Sequence, residues 1–182
     1  MESAISLPSS SEIRLVVFDF DKTIIDCHTN GYFAKKKMNA LKMRTSDFFI
    51  KLVPVLLDYG FEVAITSFSD KKHLKTSERR TNHAGSDLII NFLKLHFNAK
   101  IVKQIHVEAF DPGFQHREHF SGKIPEDYFK VLINKNIHLI NLKTKLNIKF
   151  NEEILFIDDT TRNIKYLFGN VRGFLLPKTC KY

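Results

Sequence analysis

A chain of 182 residues with 43% hydrophobic content and 17 Phe can bury one good core, and its two cysteines exclude a disulfide scaffold. No apolar run reaches the length of a membrane-spanning helix. The net charge of +8 favours anionic partners without naming one.

In chain order, Met1 to Glu12 is Ser-rich and lacks the apolar core and basic start of a signal peptide, so residues 1–12 read as a disordered leader and 13–182 as one domain. Apolar runs predict strands over Arg14–Asp19, Phe61–Thr66, roughly Ile101–Ala109, Ile154–Ile157 and Val171–Leu175. Ser46 can cap a helix running to Asp58, with Phe49, Leu52, Val53, Leu56 and Leu57 on its inner side and Gly60 after its end; Pro54 lies inside it. Further helices are predicted over Asp87–Phe97, Pro125–Ile133, Asn136–Leu146 and Thr161–Phe168. Residues 69–86 and 110–124 read as surface loops. The alternation predicts an α/β, three-layer Rossmann-like fold around a mostly parallel sheet of about five strands.

Two acidic pairs carry the chemistry. Asp19 and Asp21, in Asp19-Phe20-Asp21-Lys22-Thr23, follow the apolar run Leu15 to Phe18; Asp158-Asp159 follows Ile154 to Ile157. Both pairs should emerge at the C-terminal ends of buried strands, the edge where open α/β sheets bind ligands. Carboxylates gathered there repel one another, and a divalent cation with oxygen ligands, most simply Mg2+, is the ordinary compensation.

These motifs, in this order and each after a strand, resemble the haloacid dehalogenase (HAD) superfamily, over residues 14 to about 175. The segment Lys135-Asn136-Ile137-His138 is similar to that of its small, uncapped magnesium-dependent phosphatases. The resemblance implies an aspartyl-phosphate mechanism: Asp19 as nucleophile, Asp21 as general acid and base, a hydroxyl from Thr66 or Ser67 on the phosphoryl oxygens, and a lysine beside Asp19. Ser67 is preferred, because the hydroxyl should stand just beyond the strand. Lys135 is preferred over Lys123, since 23 residues before Asp158 leave room for one helix, a turn and the next strand, whereas Lys123 stands 35 before it. Asp19, Asp21 (through its carbonyl), Asp158 and Asp159 would hold the metal. The resemblance suggests Asp159 as direct ligand, though the sequence does not order the pair, and Asn163 could support metal waters.

Other residues read as ordinary. His116 and His119 lack the further ligands of a zinc site, Cys27 has no base beside it, Cys180 stands far away, and the Phe residues read as core. Two unpaired cysteines suit a reducing, cytoplasmic compartment.

Only 46 residues separate Asp21 from Ser67, too few for a large cap; Phe110 to Asn134 could form a short lid. An open site suits phosphorylated proteins, phosphotyrosine among them, or sugar-phosphate adducts. Residues 35–44 carry five basic groups and no acid, and residues 71–80 five against Glu78, a rim that would steer anions. Nucleic acid is a possible partner on this ground but not the favoured one, as no aromatic-basic recognition motif accompanies it; no membrane partner is expected. The alternatives are a nucleic-acid-end phosphatase or nucleic-acid-binding module, and a non-catalytic scaffold of the same fold. Phe20 to Asp26 also resembles phosphocholine and phosphoethanolamine phosphatases, which normally carry a cap.

Overall fold

A five-stranded parallel sheet forms the centre of the computed structural model, which describes residues 12–112 and 135–176. Its strands are β1 (Leu15–Asp19), β3 (Glu62–Ser67), β5 (Ile105–Ala109), β6 (Ile154–Asp158) and β7 (Arg172–Leu175), in the spatial order β5-β3-β1-β6-β7. The chain runs outward from β1 through β3 to β5, then returns to the other side of β1 for β6 and β7. That reversal puts the switch point between β1 and β6, where the crevice beyond the strand ends opens.

Side chains alternate along each strand, so the two faces of the sheet receive separate sets of apolar residues. From β1, Val16 and Phe18 join one core with Val63, Ile65, Phe49, Val53, Leu88 and Phe92. Leu15 and Val17 join the other with Ile154, Phe156, Leu139 and Leu142. The first face is covered by α2 (Asp47–Asp58) and α3 (Ser86–Leu93), the second by α5 (Asn136–Lys145), which makes three layers. Phe18 meets Phe49 edge-on at 5.4 Å and Phe20 meets Phe92 at 5.0 Å, contacts that add about 0.5–1.5 kcal/mol each to simple burial. Two further short helices are α4 (Ala99–Gln104) and α6 (Thr161–Lys165), and α1 spans Met38–Lys42.

Several expectations need correction. Ser46 precedes α2, but its side chain makes no capping bond; its N–H donates to the Ile24 carbonyl instead. Pro54 does not break that helix, whose buried Phe49 and Val53 hold it against the sheet. Gly60 follows with φ of +82°, the left-handed stop that favours glycine. The third strand begins at Ile105 rather than Ile101, because Asn98 accepts a bond from the Ile101 N–H at 3.0 Å and starts α4 there. Residues 69–86 are more than a loop. Asn82–Ala84 forms β4 and pairs antiparallel with β2 (Tyr32–Ala34) in a two-stranded ribbon.

The leader, the Pro125–Ile133 helix, Lys123, His116, His119, Cys180 and most of the 110–134 interval lie outside the described residues. Among the described residues no helix is long and apolar enough to cross a membrane.

Candidate active site

Strand parity brings the acids together. Asp19 continues the series Leu15 and Val17, and Asp158 the series Ile154 and Phe156, so both side chains fall on the face covered by α5. Because β1 and β6 are direct neighbours, the two carboxylates share one crevice, and Asp159 joins them from the turn into α6. One carboxylate oxygen from each of Asp19, Asp158 and Asp159 lies within 4.8 Å of the other two.

Lys135, immediately before α5, enters this cluster. Its ammonium stands 3.0 Å from Asp19 Oδ1 and 4.0 Å from the centre of the Phe68 ring, and its side chain is only 1% exposed. A buried cation of this kind persists only beside a counter-charge. With protein groups alone, burial pushes Asp19 up to about 7, against the opposing pull of Lys135. Burial likewise raises Asp158, although the Thr160 N–H at 2.7 Å and the Asn163 amide at 2.8 Å both stabilise its charged form. Asn163 therefore braces a carboxylate directly.

Asp21 occupies a different setting. Its Oδ2 accepts two bonds from Thr29, from the N–H at 3.0 Å and the hydroxyl at 3.1 Å, while Oδ1 is buried with no hydrogen-bond partner among the described residues. Burial raises it too, with Thr29 opposing. A carboxyl whose charged form is disfavoured by burial suits a proton donor.

Of the two candidate hydroxyls, Thr66 turns back on the sheet and donates to the Phe18 carbonyl at 3.4 Å. Ser67, one residue further along β3, accepts from the Ser69 N–H at 3.1 Å, which leaves its hydroxyl hydrogen to donate. The end of β3 is fixed by His138 on α5, whose Nε2 lies 3.1 Å from the Ser67 carbonyl and 3.0 Å from that of Phe110. Facing two acceptors, Nε2 must carry the proton. Burial and the nearby Lys135 hold His138 down to about 3, so the ring is neutral and Nδ1 is left buried without a hydrogen-bond partner among the described residues.

Some of these residues carry no sequence signal of their role. Thr29 lies 8 residues from Asp21, and Phe68 looked like core yet sits under Lys135. Thr23, inside the first motif, accepts from the Asp159 N–H at 3.0 Å and joins the two acidic turns.

The donor set suits a hard divalent cation. Three carboxylates offer only oxygen, and their oxygens, within 4.8 Å of one another, have to close to no more than about 4.2 Å to stand around Mg2+ at about 2.1 Å each, a side-chain adjustment that the ion's charge favours. Asp158 already accepts a bond on each oxygen, whereas Asp159 accepts from the Thr160 hydroxyl on Oδ1 alone among the described residues.

No protein-family model matches the chain, and no curated protein does. Among solved structures it is similar to a HAD-superfamily hydrolase from Ehrlichia chaffeensis, at 14% identity over 91% of this chain and 93% of that one, with a TM-score of 0.44. A hypothetical protein from Xanthomonas campestris matches at 16% identity over 93% of this chain and 70% of that one, with a TM-score of 0.43. A candidate 3-deoxy-D-manno-octulosonate 8-phosphate phosphatase from Vibrio cholerae matches at 12% identity and a TM-score of 0.45, over 87% of this chain and 64% of that one. Likenesses this distant carry nothing about activity, which has to come from the residues themselves.

Proposed function

We propose that the protein is a Mg2+-dependent phosphomonoester hydrolase of the HAD type, working through an aspartyl-phosphate. The observation that carries this reading is the buried Lys135–Asp19 pair at 3.0 Å beside two further carboxylates at the switch point of the sheet. A structural ion pair alone gives no reason for Asp158 and Asp159 to crowd the same crevice.

Asp19, Asp158 and Asp159 would hold the cation, with Asp159 as the direct ligand of its pair because it has the less committed carboxylate. When bound, Mg2+ supplies positive charge that keeps Asp19 ionised near neutral pH and screens it from the incoming phosphoryl group. The ionised Asp19 carboxylate attacks phosphorus, and the bond from phosphorus to the ester oxygen breaks. Asp21 gives its proton to that departing oxygen. Water then attacks the aspartyl-phosphate, Asp21 takes the proton back, and inorganic phosphate leaves with Asp19 restored. Lys135 holds Asp19 in place and balances charge on the transferring group, while the Ser67 hydroxyl donates to a phosphoryl oxygen.

The test is hydrolysis of p-nitrophenyl phosphate with Mg2+. Asp19→Asn should lose turnover by about 1,000-fold or more, and Asp21→Asn by about 100- to 10,000-fold, the usual range for losing a general acid. Wild-type activity in Asp19→Asn would remove the nucleophile assignment. No turnover in wild type under any Mg2+ concentration would favour the non-catalytic scaffold.

A further inference from the structure

The two basic runs are far apart in sequence but adjacent in space. In the ribbon, Tyr32 pairs with Ala84, Phe33 with His83 and Ala34 with Asn82, and the pairing continues as the Lys35 N–H donates to the Thr81 carbonyl at 2.9 Å. The turn Lys35–Lys37 and the turn Glu78–Arg80 therefore emerge side by side from one end. His83 lies below the usual histidine range, first through burial and then through the Lys35 and Lys71 ammoniums, with Asp87 opposing. Both runs thus act on one patch of surface.

The other end of the ribbon is rooted in the candidate site. Ser69, two residues past Ser67, donates to the Gly31 carbonyl before β2 and accepts from the Gly85 N–H after β4 at 2.6 Å. Thr29, which holds Asp21, also accepts at its carbonyl from the Tyr32 N–H at 3.3 Å. From that root to the first lysine is about 10 Å, at about 3.3 Å per strand residue.

Most of the charge on this ribbon is uncompensated. Lys71 pairs with Asp87 and Arg44 with Asp26. Lys35, Lys36, Lys37, Lys72, Arg79 and Arg80 are exposed and have no carboxylate partner among the described residues. Tyr32, 45% exposed at the rooted end, presents an aromatic face of the kind on which bases stack. Exposed cations grouped at the far end of the ribbon, with Tyr32 between them and the acidic edge, fit a repeating polyanion better than a single phosphorylated side chain.

We infer that the β2–β4 ribbon binds a single-stranded nucleic acid whose terminal phosphate enters the site at Asp19. The assignment rests on the phosphatase reading above and names its substrate class. The strand lies along the ribbon, with phosphates on Lys36, Lys37 and Arg80 and the terminal base against Tyr32.

The experiment compares phosphate release from a single-stranded oligonucleotide, carrying a terminal phosphate at its 5′ or its 3′ end, with hydrolysis of p-nitrophenyl phosphate. Wild type is set against the triple variant Lys36→Glu/Lys37→Glu/Arg80→Glu and against Tyr32→Ser. At least one oligonucleotide should have a higher kcat/KM than the aryl phosphate. The triple variant should lose that kcat/KM by at least about 10-fold, and the magnitude of its salt dependence should fall by about 2, at about 0.7 per phosphate contact. Its aryl-phosphate turnover should stay unchanged, which also reports that it folds. Aryl-phosphate turnover in every protein, with no oligonucleotide preferred or no effect of the charge reversals, would overturn the inference and leave the phosphatase reading intact. Preference for an acidic phosphopeptide over both oligonucleotides would also overturn it. Failure of wild type to hydrolyse anything would remove both readings together.

Discussion

Charge is handled in opposite ways at the sheet edge and on the ribbon. At the edge, Asp19, Asp158 and Lys135 are buried, and each meets a counter-charge or hydrogen-bond donor within about 3 Å. On the ribbon, the side chains of Lys35, Lys36 and Lys37 stand in solvent with no carboxylate partner among the described residues. Low dielectric makes the first set interdependent, so that removing one member strands another. Water and salt screen the second set, whose members act nearly independently.

The largest effect should come from breaking the buried pair. Lys135→Met leaves Asp19 without its ammonium, and at pH 8 unfolding in urea should show a loss of about 3–5 kcal/mol. Adding Asp19→Asn to it should recover part of that loss, since no lone charge remains. A double variant no more stable than Lys135→Met would mean that Asp19 takes up a proton once Lys135 is gone, as its raised pKa allows.

An intermediate effect is expected at His138, which joins the ends of β3 and β5. Folded, its ring stays neutral down to about 3, whereas an unfolded histidine takes a proton near 6.5. Its contribution is therefore complete above pH 6.5 and declines by about 1.4 kcal/mol per unit as pH falls toward 3. His138→Gln retains an N–H donor but cannot take up a proton. The stability difference between wild type and this variant should shrink by that slope on acidification, and a pH-independent difference would place the proton elsewhere.

The smallest effect on stability belongs to the ribbon. Lys36→Glu/Lys37→Glu/Arg80→Glu should change the unfolding free energy by no more than about 0.5 kcal/mol per substitution. A larger loss would mean that these cations support the fold.

The central strands β1 and β6 were legible because they are buried on both faces, which leaves apolar runs ending abruptly in acid, as at Phe18-Asp19 and Ile157-Asp158. The pairing of Lys135 with Asp19 was legible from an interval, since one helix and one turn are required to return from the strand edge. The ribbon was not legible. Asn82-His83-Ala84 has no apolar alternation, and its partner lies about 50 residues earlier, so neither segment signals a strand alone. Thr29 and Ser69 were equally silent, because a hydroxyl in a loop looks the same whether it caps a turn or braces a buried carboxylate.

The chain alone determined which residue types stand at the ends of its buried strands, because periodicity, strand length and the cost of burying charge are local properties. Which strands became neighbours was decided only in three dimensions. Packing on both faces of the sheet put β6 beside β1 and thereby joined Asp158 to Asp19. Cross-strand hydrogen bonds, which carry no mark in the sequence, joined the two basic runs beside them.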